Sequence, residues 1–575
     1  MRFLILLLTL ASAASAFAQG GAQQPRPGAA GRGQRPARAQ PQRVEAPRGT
    51  AIMRGQIVAA DNGAAIRRAQ VRINSPESRE GRVATTDQQG RFEFKELPAG
   101  RYTMTASKAG FVPLQYGQRR PSESGTPIEL GDGQTMEKIS IALPRGSVLG
   151  GRITDEFGEP VANAFVTAFR YAYAGGIRRM TRAGQNGSDT TDDQGNFRLF
   201  GLPPGDYYVS ASLRGAGPEI TDPMGELSGY ASTYFPGTPN AAEATRITLG
   251  VAQENTSISF GLIATRLVRI SGQVLMSDGA PAGAGMVMAI PAAANGRPNI
   301  AMQQGAGGAR IDGTGRFRLT NMAPGRYQIQ ARAGGGREFE LAKLDLTVGN
   351  DDVDGLSLIT AAGATITGNV VSDTGEAIDF RANQLQINAR SASPDLSGMS
   401  PGMGGVRVGD DWSFTLYNIS EAALFRALPP QGWAMKAVYI NGQDITDTPM
   451  EFPAGQTVSG MQIVLTKKIT SLTGQVTDGS GNPVLDATVV AFPANEKLWT
   501  FQSRFIKAAR PDQEGKYRVT GLPGAADYLV VALQGLEDGQ AGDPEFLASI
   551  KELATKIQLG DGESKAVDVT LAPQK

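Results

Sequence analysis

Residues 192–211 read DDQGNFRLFGLPPGDYYVSA, and residues 87–106 read DQQGRFEFKELPAGRYTMTA. In both, Asp and Gly bracket a turn, after which Phe197/Leu199 or Phe92/Phe94 alternate with polar residues. That period of two buries one face of a β-strand. Leu-Pro-x-Gly then makes a second turn, where Pro fixes φ and Gly tolerates a positive φ. A second alternating run follows, Tyr207/Val209/Ala211 and Tyr102/Met104/Ala106. The pattern returns at 312–331 (DGTGRFRLTNMAPGRYQIQA) and 512–532 (DQEGKYRVTGLPGAADYLVVA), and partly at 410–419 (DDWSFTLYNI).

Each copy is preceded by a second motif. It reads RGQIVAADNGAAIRRAQVRI at 54–73, GGRITDEFGEPVANAFVTAF at 150–169, SGQVLMSDGAPAGAGMVMAI at 271–290 and TGQVTDGSGNPVLDATVVAF at 473–492. A weaker copy, TGNVVSDTGEAIDFRANQLQINA, runs from 367 to 389. Its marker glycines, Gly55, Gly151, Gly272, Gly368 and Gly474, are 96, 121, 96 and 106 residues apart, so each repeat is one small domain. The chain is therefore expected to be all-β, a tandem array of about five seven-stranded antiparallel β-sandwiches. The expected limits are 49–145, 146–265 with aromatic insertions, 266–362, 363–467 (degenerate) and 468–575.

The aromatics after each turn should anchor the cores, since burying one large apolar side chain stabilises by about 1.5–3 kcal/mol. The connections, such as LPRGSVLGG (143–151) and LTKKITSLTG (465–474), are short, which favours an extended or curved rod. One helix is expected over 543–559, capped by Asp543, started by Pro544 and lying on the last sandwich.

The chain opens MRFLILLLTLASAASAFAQG, with Arg2, an apolar run from Phe3 to Leu10 and a small-x-small site at Ala16-Phe17-Ala18. Residues 1–18 thus read as a signal peptide, and the run is too short for a membrane span. Residues 19–48 hold six Arg, one Glu and little apolar content, and read as a disordered Pro/Gly/Arg linker. The protein is expected to be exported, whether to the periplasm, the outer surface or the medium, with no transmembrane segment after cleavage.

Net charge is +1, and there is neither Cys nor His among 575 residues. Without His the Ser-His-Asp and Cys-His nucleophiles are excluded, as are zinc and copper sites built on imidazole or thiolate. The balanced charge gives no footprint for nucleic acid. No catalytic residue, metal site or cofactor is expected. Asp87, Asp192–Asp193, Asp312 and Asp512 precede turn glycines, and Asp410–Asp411 stand at the corresponding turn of the fourth copy. Calcium needs six to eight oxygens, so turn chemistry is the expected role of these acids.

The candidate ligand-binding residues are aromatics outside the repeating core: Tyr116 in the first unit, and Tyr171, Tyr173, Tyr230, Tyr234 and Phe235 in or beside the insertions of the second. Exposed rings there would stack on sugar faces; otherwise they cover an inter-domain seam. Trp499, in a fifth-unit insertion, is a further ring expected near the surface.

The two motifs together resemble the carboxypeptidase regulatory-like domain, a transthyretin-like sandwich grouped with carbohydrate-binding-like and Cna-B-type modules. The resemblance covers nearly all of 49–575 and implies a fold more than an activity. It implies stalk, spacer or polysaccharide-contacting roles at the bacterial cell envelope, and no carboxypeptidase activity, since the chain has no histidine for a zinc site. The expected function is a non-enzymatic structural, adhesive or interaction scaffold. The alternative is a carbohydrate-binding protein using the aromatic loops of the first two units. The expected partners are polysaccharide or an envelope or extracellular protein.

Overall fold

The first alternating run of the opening motif forms a strand in every repeat. In Arg91–Leu97 the buried positions alternate as expected, with Phe92 and Phe94 inside. Asn196–Leu202, Arg316–Met322, Ser413–Ile419 and Lys516–Thr520 repeat the pattern. In this computed structural model the described residues are 49–75, 80–184, 186–213, 220–221, 227–292, 307–335, 338–392 and 405–573. The signal peptide and linker expected at 1–18 and 19–48 lie outside them.

The aromatic strand of each repeat pairs antiparallel with an opening strand: Ala51–Ala59, Ser147–Thr154, Val268–Leu275, Ala364–Ser372 or Ser471–Thr477. On its other edge the opening strand pairs with the closing strand, and this pairing is parallel. The sheet is thus mixed where purely antiparallel pairing was expected, because the chain returns to it through the second sheet before closing.

The marker glycines sit where that parallel ladder slips or breaks. Register shifts fall between Met53 and Gly55, Ile270 and Gly272, and Ile366 and Gly368. A Cβ on Gly55, Gly151, Gly272, Gly368 or Gly474 would lie 1.9–2.2 Å from a closing-strand carbonyl oxygen, that of Ile139, Ile258, Leu356, Met461 or Val567. The repeated glycine is therefore dictated by backbone approach at a bulge.

The second sheet centres on Gln70–Ser75, Ala164–Ala174, Gly285–Pro291, Gln386–Ser391 or Thr488–Pro493. Between the sheets lie five hydrophobic cores. The turn tyrosine closes four of them. Tyr102 donates to the Pro98 carbonyl at 2.7 Å, Tyr327 to Ala323 at 2.9 Å, Tyr528 to Pro523 at 2.8 Å, and Tyr207 to Pro203. The ring fills the core while its hydroxyl fastens the turn behind it. In the fourth sandwich Ile387 pairs with Ala427 as Val71 pairs with Ala106, which puts Ala423 at the tyrosine's place. That repeat is degenerate in sequence because it has no tyrosine corner.

The helix is shorter than expected. Asp543 caps it by accepting from the Glu545 amide at 3.0 Å, and it ends at Ile550. A 3-10 turn at Lys551–Leu553 follows, and Thr555–Leu559 is a strand beside Ala526–Leu533. Ile557 and Leu559 alternate into the sandwich core, so sheet pairing overrides the helical spacing. The helix does pack on the last sandwich, where Leu547 and Ile550 join Val490, Phe492, Leu529 and Val531 in a sixth cluster. Trp499 lies in this cluster and is 7 % exposed, correcting its expected surface position.

The expected rod is also overturned. The fifth sandwich touches the first, where the Asp538 amide donates to the Ser122 carbonyl at 2.8 Å and Gln513 bridges both backbone groups of Glu129. It touches the fourth through Arg504, which binds Asp447 at 2.6 and 2.8 Å. It touches the second at Gly176, where an added Cβ would fall 2.0 Å from the Gly542 carbonyl oxygen. Short connections restrict each hinge without keeping the series straight, and the polar partners across these seams turn it back on itself.

Candidate functional site

The insertion at 170–180 extends the central strand Ala164–Ala174 into an antiparallel hairpin with Ile177–Arg182. Gly175 (φ +63°) and Gly176 (φ +77°) form its turn, the pair of positive φ values that a tight two-residue hairpin demands. This turn seats against the fifth sandwich, with Gly175 beside the Phe501 ring and Tyr173 beside Gly539. Burial raises the Tyr173 hydroxyl's pKa above its ordinary value, and Asp543 of the fifth sandwich adds to the rise.

The other candidate rings have different placements. Tyr171 is 44 % exposed, edge-on to Tyr208 at 5.6 Å, with the Arg178 guanidinium over it at 5.5 Å. Tyr234 is 5 % exposed and so offers no face to a sugar, and Phe235 is partly buried, packed edge-on against Phe260 of the second core. Burial pushes the Tyr234 hydroxyl's pKa up. Tyr230 packs on the same core, and its hydroxyl donates to Glu156 at 2.7 Å. Desolvation, then that carboxylate, raises its pKa. Tyr116 is half-buried against the first core, and burial raises its pKa too. The structure therefore does not bring the six rings into one site.

The turn acids are occupied by their own backbone. Asp87 Oδ1 accepts from the Gln89 and Arg91 amides at 2.8 Å each, and Asp192 Oδ1 from Gln194 and Asn196 at 3.0 and 2.7 Å. Asp312 and Asp512 repeat the arrangement, and Asp411 accepts from Ser413. Hydrogen bonds favour the ionised form, from backbone amides at Asp87 and Asp192 and first from the Thr314 and Ser413 hydroxyls at Asp312 and Asp411, so all four titrate below the usual carboxylate range. Among the described residues no group of three or more acidic side chains has metal-site geometry.

Sequence reasoning missed the charged seams. Arg510 meets Asp486 at 2.8 Å and Glu123 of the first sandwich at 3.6 Å, and Arg119 reaches Asp486 at 3.1 Å. Between the fourth and fifth sandwiches, Asp447 binds Arg504 and lies 3.4 Å from Arg426. Burial pulls the Arg426 pKa down to about 10. No local motif marks these residues, because their partners lie in other repeats or on distant strands.

Fold and seams together define a tandem β-sandwich protein whose repeats are fastened to one another. Residues 52–144, 148–249 and 269–356 match the carboxypeptidase regulatory-like domain family, and these three sandwiches are carboxypeptidase regulatory-like domains. Among solved structures, a streptococcal ancillary pilin is 14 % identical, aligned over 54 % of this chain and 98 % of its own, with a TM-score of 0.20. A minor pilin of Streptococcus agalactiae is 15 % identical over 38 % and 98 %, with a TM-score of 0.21. A putative carbohydrate-binding protein of Pseudomonas aeruginosa is 15 % identical over 16 % and 90 %, with a TM-score of 0.13. No curated protein matches the sequence. No helix among the described residues is long and apolar enough to cross a membrane.

Proposed function

We propose that this protein is a non-enzymatic scaffold of the cell envelope, in which the fifth sandwich holds the first, second and fourth in fixed relation. The carrying observation is the enclosed Glu123–Arg510–Asp486 arrangement across the seam between the first and fifth sandwiches. A flexible spacer has no use for ionic groups withdrawn from water, since desolvating them is costly unless their geometry is held. The acids of the repeat turns, such as Asp87 and Asp192, are held by backbone amides, which supports a structural reading of those groups. Small-angle scattering of the full chain in low and moderate salt tests the scaffold. One unchanging profile fitting the folded-back arrangement supports it, and a profile of independently moving modules overturns it.

A second reading, glycan contact at the aromatic insertion, rests on Tyr171 with its neighbours Tyr208 and Arg178. A Tyr171→Ala variant that binds a glycan array as the parent does would remove it.

A further inference from the structure

The first sheet of the third sandwich, formed by Arg316–Met322, Val268–Leu275 and Val353–Ile359, carries an open groove of ≈ 760 Å³ on its outer side. Arg310, Arg316 and Arg318 line it, with Ser271, Gln273 and Ser357 between them. The volume falls within the range of small-ligand sites.

The neighbouring repeats show what these positions ordinarily do. Gly272 faces Phe317 as Gly55 faces Phe92 and Gly151 faces Phe197, which sets the registers side by side. Arg316 then matches Arg91, which pairs with Asp87 at 3.2 Å, and Arg318 matches Arg198, which pairs with Glu254 at 3.2 Å. In the first sandwich the place of Arg318 is held by Glu93, bound to Arg54 at 2.6 Å. In the third sandwich none of the three arginines forms an ion pair among the described residues.

Of the nearby acids, Asp312 also lines the groove and attracts Arg316 without forming an ion pair, and both Asp312 and Asp354 have hydrogen-bond partners of their own. Asp312 accepts from the Thr314 amide and hydroxyl and from the Arg316 amide, and Asp354 is held by the Ser271 hydroxyl. Residues 293–306, which join two strands of this sandwich, contain no acid in their sequence.

The chemistry of the occupant follows. Guanidinium forks favour carboxylate and other oxyanions through paired hydrogen bonds. Arg316 and Arg318 are two residues apart on one strand, hence about 6.7 Å apart along it. Such a row suits charges repeated along a polymer better than one small ion. Phe317, the aromatic residue in the lining, is buried in the core, so the groove has no ring for stacking neutral sugars or nucleobases. We propose that this groove binds a segment of an acidic, carboxylate-bearing polysaccharide through Arg310, Arg316 and Arg318.

The test uses the full chain, titrated calorimetrically with polygalacturonate, with neutral dextran and with a single-stranded oligonucleotide. Polygalacturonate should bind saturably, and Arg316→Gln/Arg318→Gln should weaken it by at least about tenfold. The slope of log affinity against log salt should fall by about one per arginine removed. Arg91→Gln/Arg198→Gln, which removes the same charge from paired arginines on the first and second sandwiches, should bind as the parent does. Both variants alter exposed side chains, and unchanged thermal unfolding verifies their folding. Absence of binding by the parent, equal loss in the two variants, or equal or tighter binding of dextran or oligonucleotide overturns the proposal.

Discussion

The Arg510 guanidinium lies 3.6 Å from the Glu123 carboxylate, although the two belong to the last and first sandwiches of the series. Their side chains are 4 % and 6 % exposed. Arg510 also binds Asp486 at 2.8 Å and donates to the Ser124 carbonyl at 2.9 Å, while Arg119 adds a second cation at Asp486. With Arg120 3.7 Å from Glu123, three cations and two acids meet where the repeat series closes.

Removing one member of an enclosed ionic group leaves its partner uncompensated, at a cost of about 3 kcal/mol. Glu123→Ala is expected to lower the calorimetric transition of the first and fifth sandwiches by that order. Arg510→Ala should cost more, because it takes the enclosed cation from both Glu123 and Asp486 and leaves only the exposed Arg120 and Arg119 beside them. The double variant Glu123→Leu/Arg510→Met should recover much of the loss, since apolar replacements need no compensation. Unchanged calorimetry in both single variants would mean that the seam is open in solution.

The marker glycines make a sharper prediction. In Gly151→Ala the new methyl would fall 1.9 Å from the Ile258 carbonyl oxygen, so a strand must shift. The expected loss is about 3 kcal/mol or more, confined to the second sandwich. Gly283→Ala is the matched control, because a Cβ there meets nothing within 4 Å and the backbone is not in the left-handed region. Chemical denaturation of the two variants separates them, and equal midpoints would sink the bulge explanation.

The contrast between these two predictions also marks what the sequence makes legible. Gly151, Phe197, Asp192 and Tyr207 act within one repeat, so their roles recur at fixed offsets and can be read by comparing copies. Tyr207 reads as a core ring, but its hydroxyl bond to Pro203 needs the folded turn. Glu123 and Arg510 act between repeats, and nothing local distinguishes them from solvated charges. The fifth sandwich's second sheet hid its second cover in the same way. Thr488–Pro493 and Ala526–Leu533 are buried on both faces, so they read as continuous apolar runs whose outer partner, the helix with Trp499, alternation cannot reveal. Phe235 looked like a loop aromatic because the second core extends beyond the repeated strands to reach it, and Tyr234 beside it is buried as well.

The tyrosine corners predict an alkaline transition. Burial raises the pKa of Tyr207 and of Tyr327 to about 12, above the ordinary value of 10. The folded state therefore retains protons that the unfolded state loses between pH 10 and about 12. Stability is fully present below pH 10 and falls as pH rises through that window. Tyr207→Phe is expected to flatten this fall for the second sandwich. At pH 7 it should cost about 1 kcal/mol for the lost hydrogen bond. Urea midpoints measured at pH 7, 10 and 11.5 check both parts, and a Tyr207→Phe variant as alkali-sensitive as the parent contradicts the assignment.

Asp447 sits between two arginines, bound to Arg504 at 2.6 Å and 3.4 Å from Arg426. The Arg426 guanidinium also donates to the Phe425 and Thr446 carbonyls at 2.9 and 2.6 Å, so it is fixed in place and cannot swing to water. Asp447→Asn preserves shape while leaving two enclosed cations facing each other, and should loosen the seam between the fourth and fifth sandwiches by about 3 kcal/mol. The connection at 465–474, LTKKITSLTG, carries Lys467 and Lys468, where trypsin cuts. Faster tryptic cleavage there in Asp447→Asn than in the parent, with both sandwiches otherwise intact, is the expected result. Because opening precedes cutting, the rate should follow the population of the open seam. Identical cleavage rates would show that Asp447 does not hold these two sandwiches together.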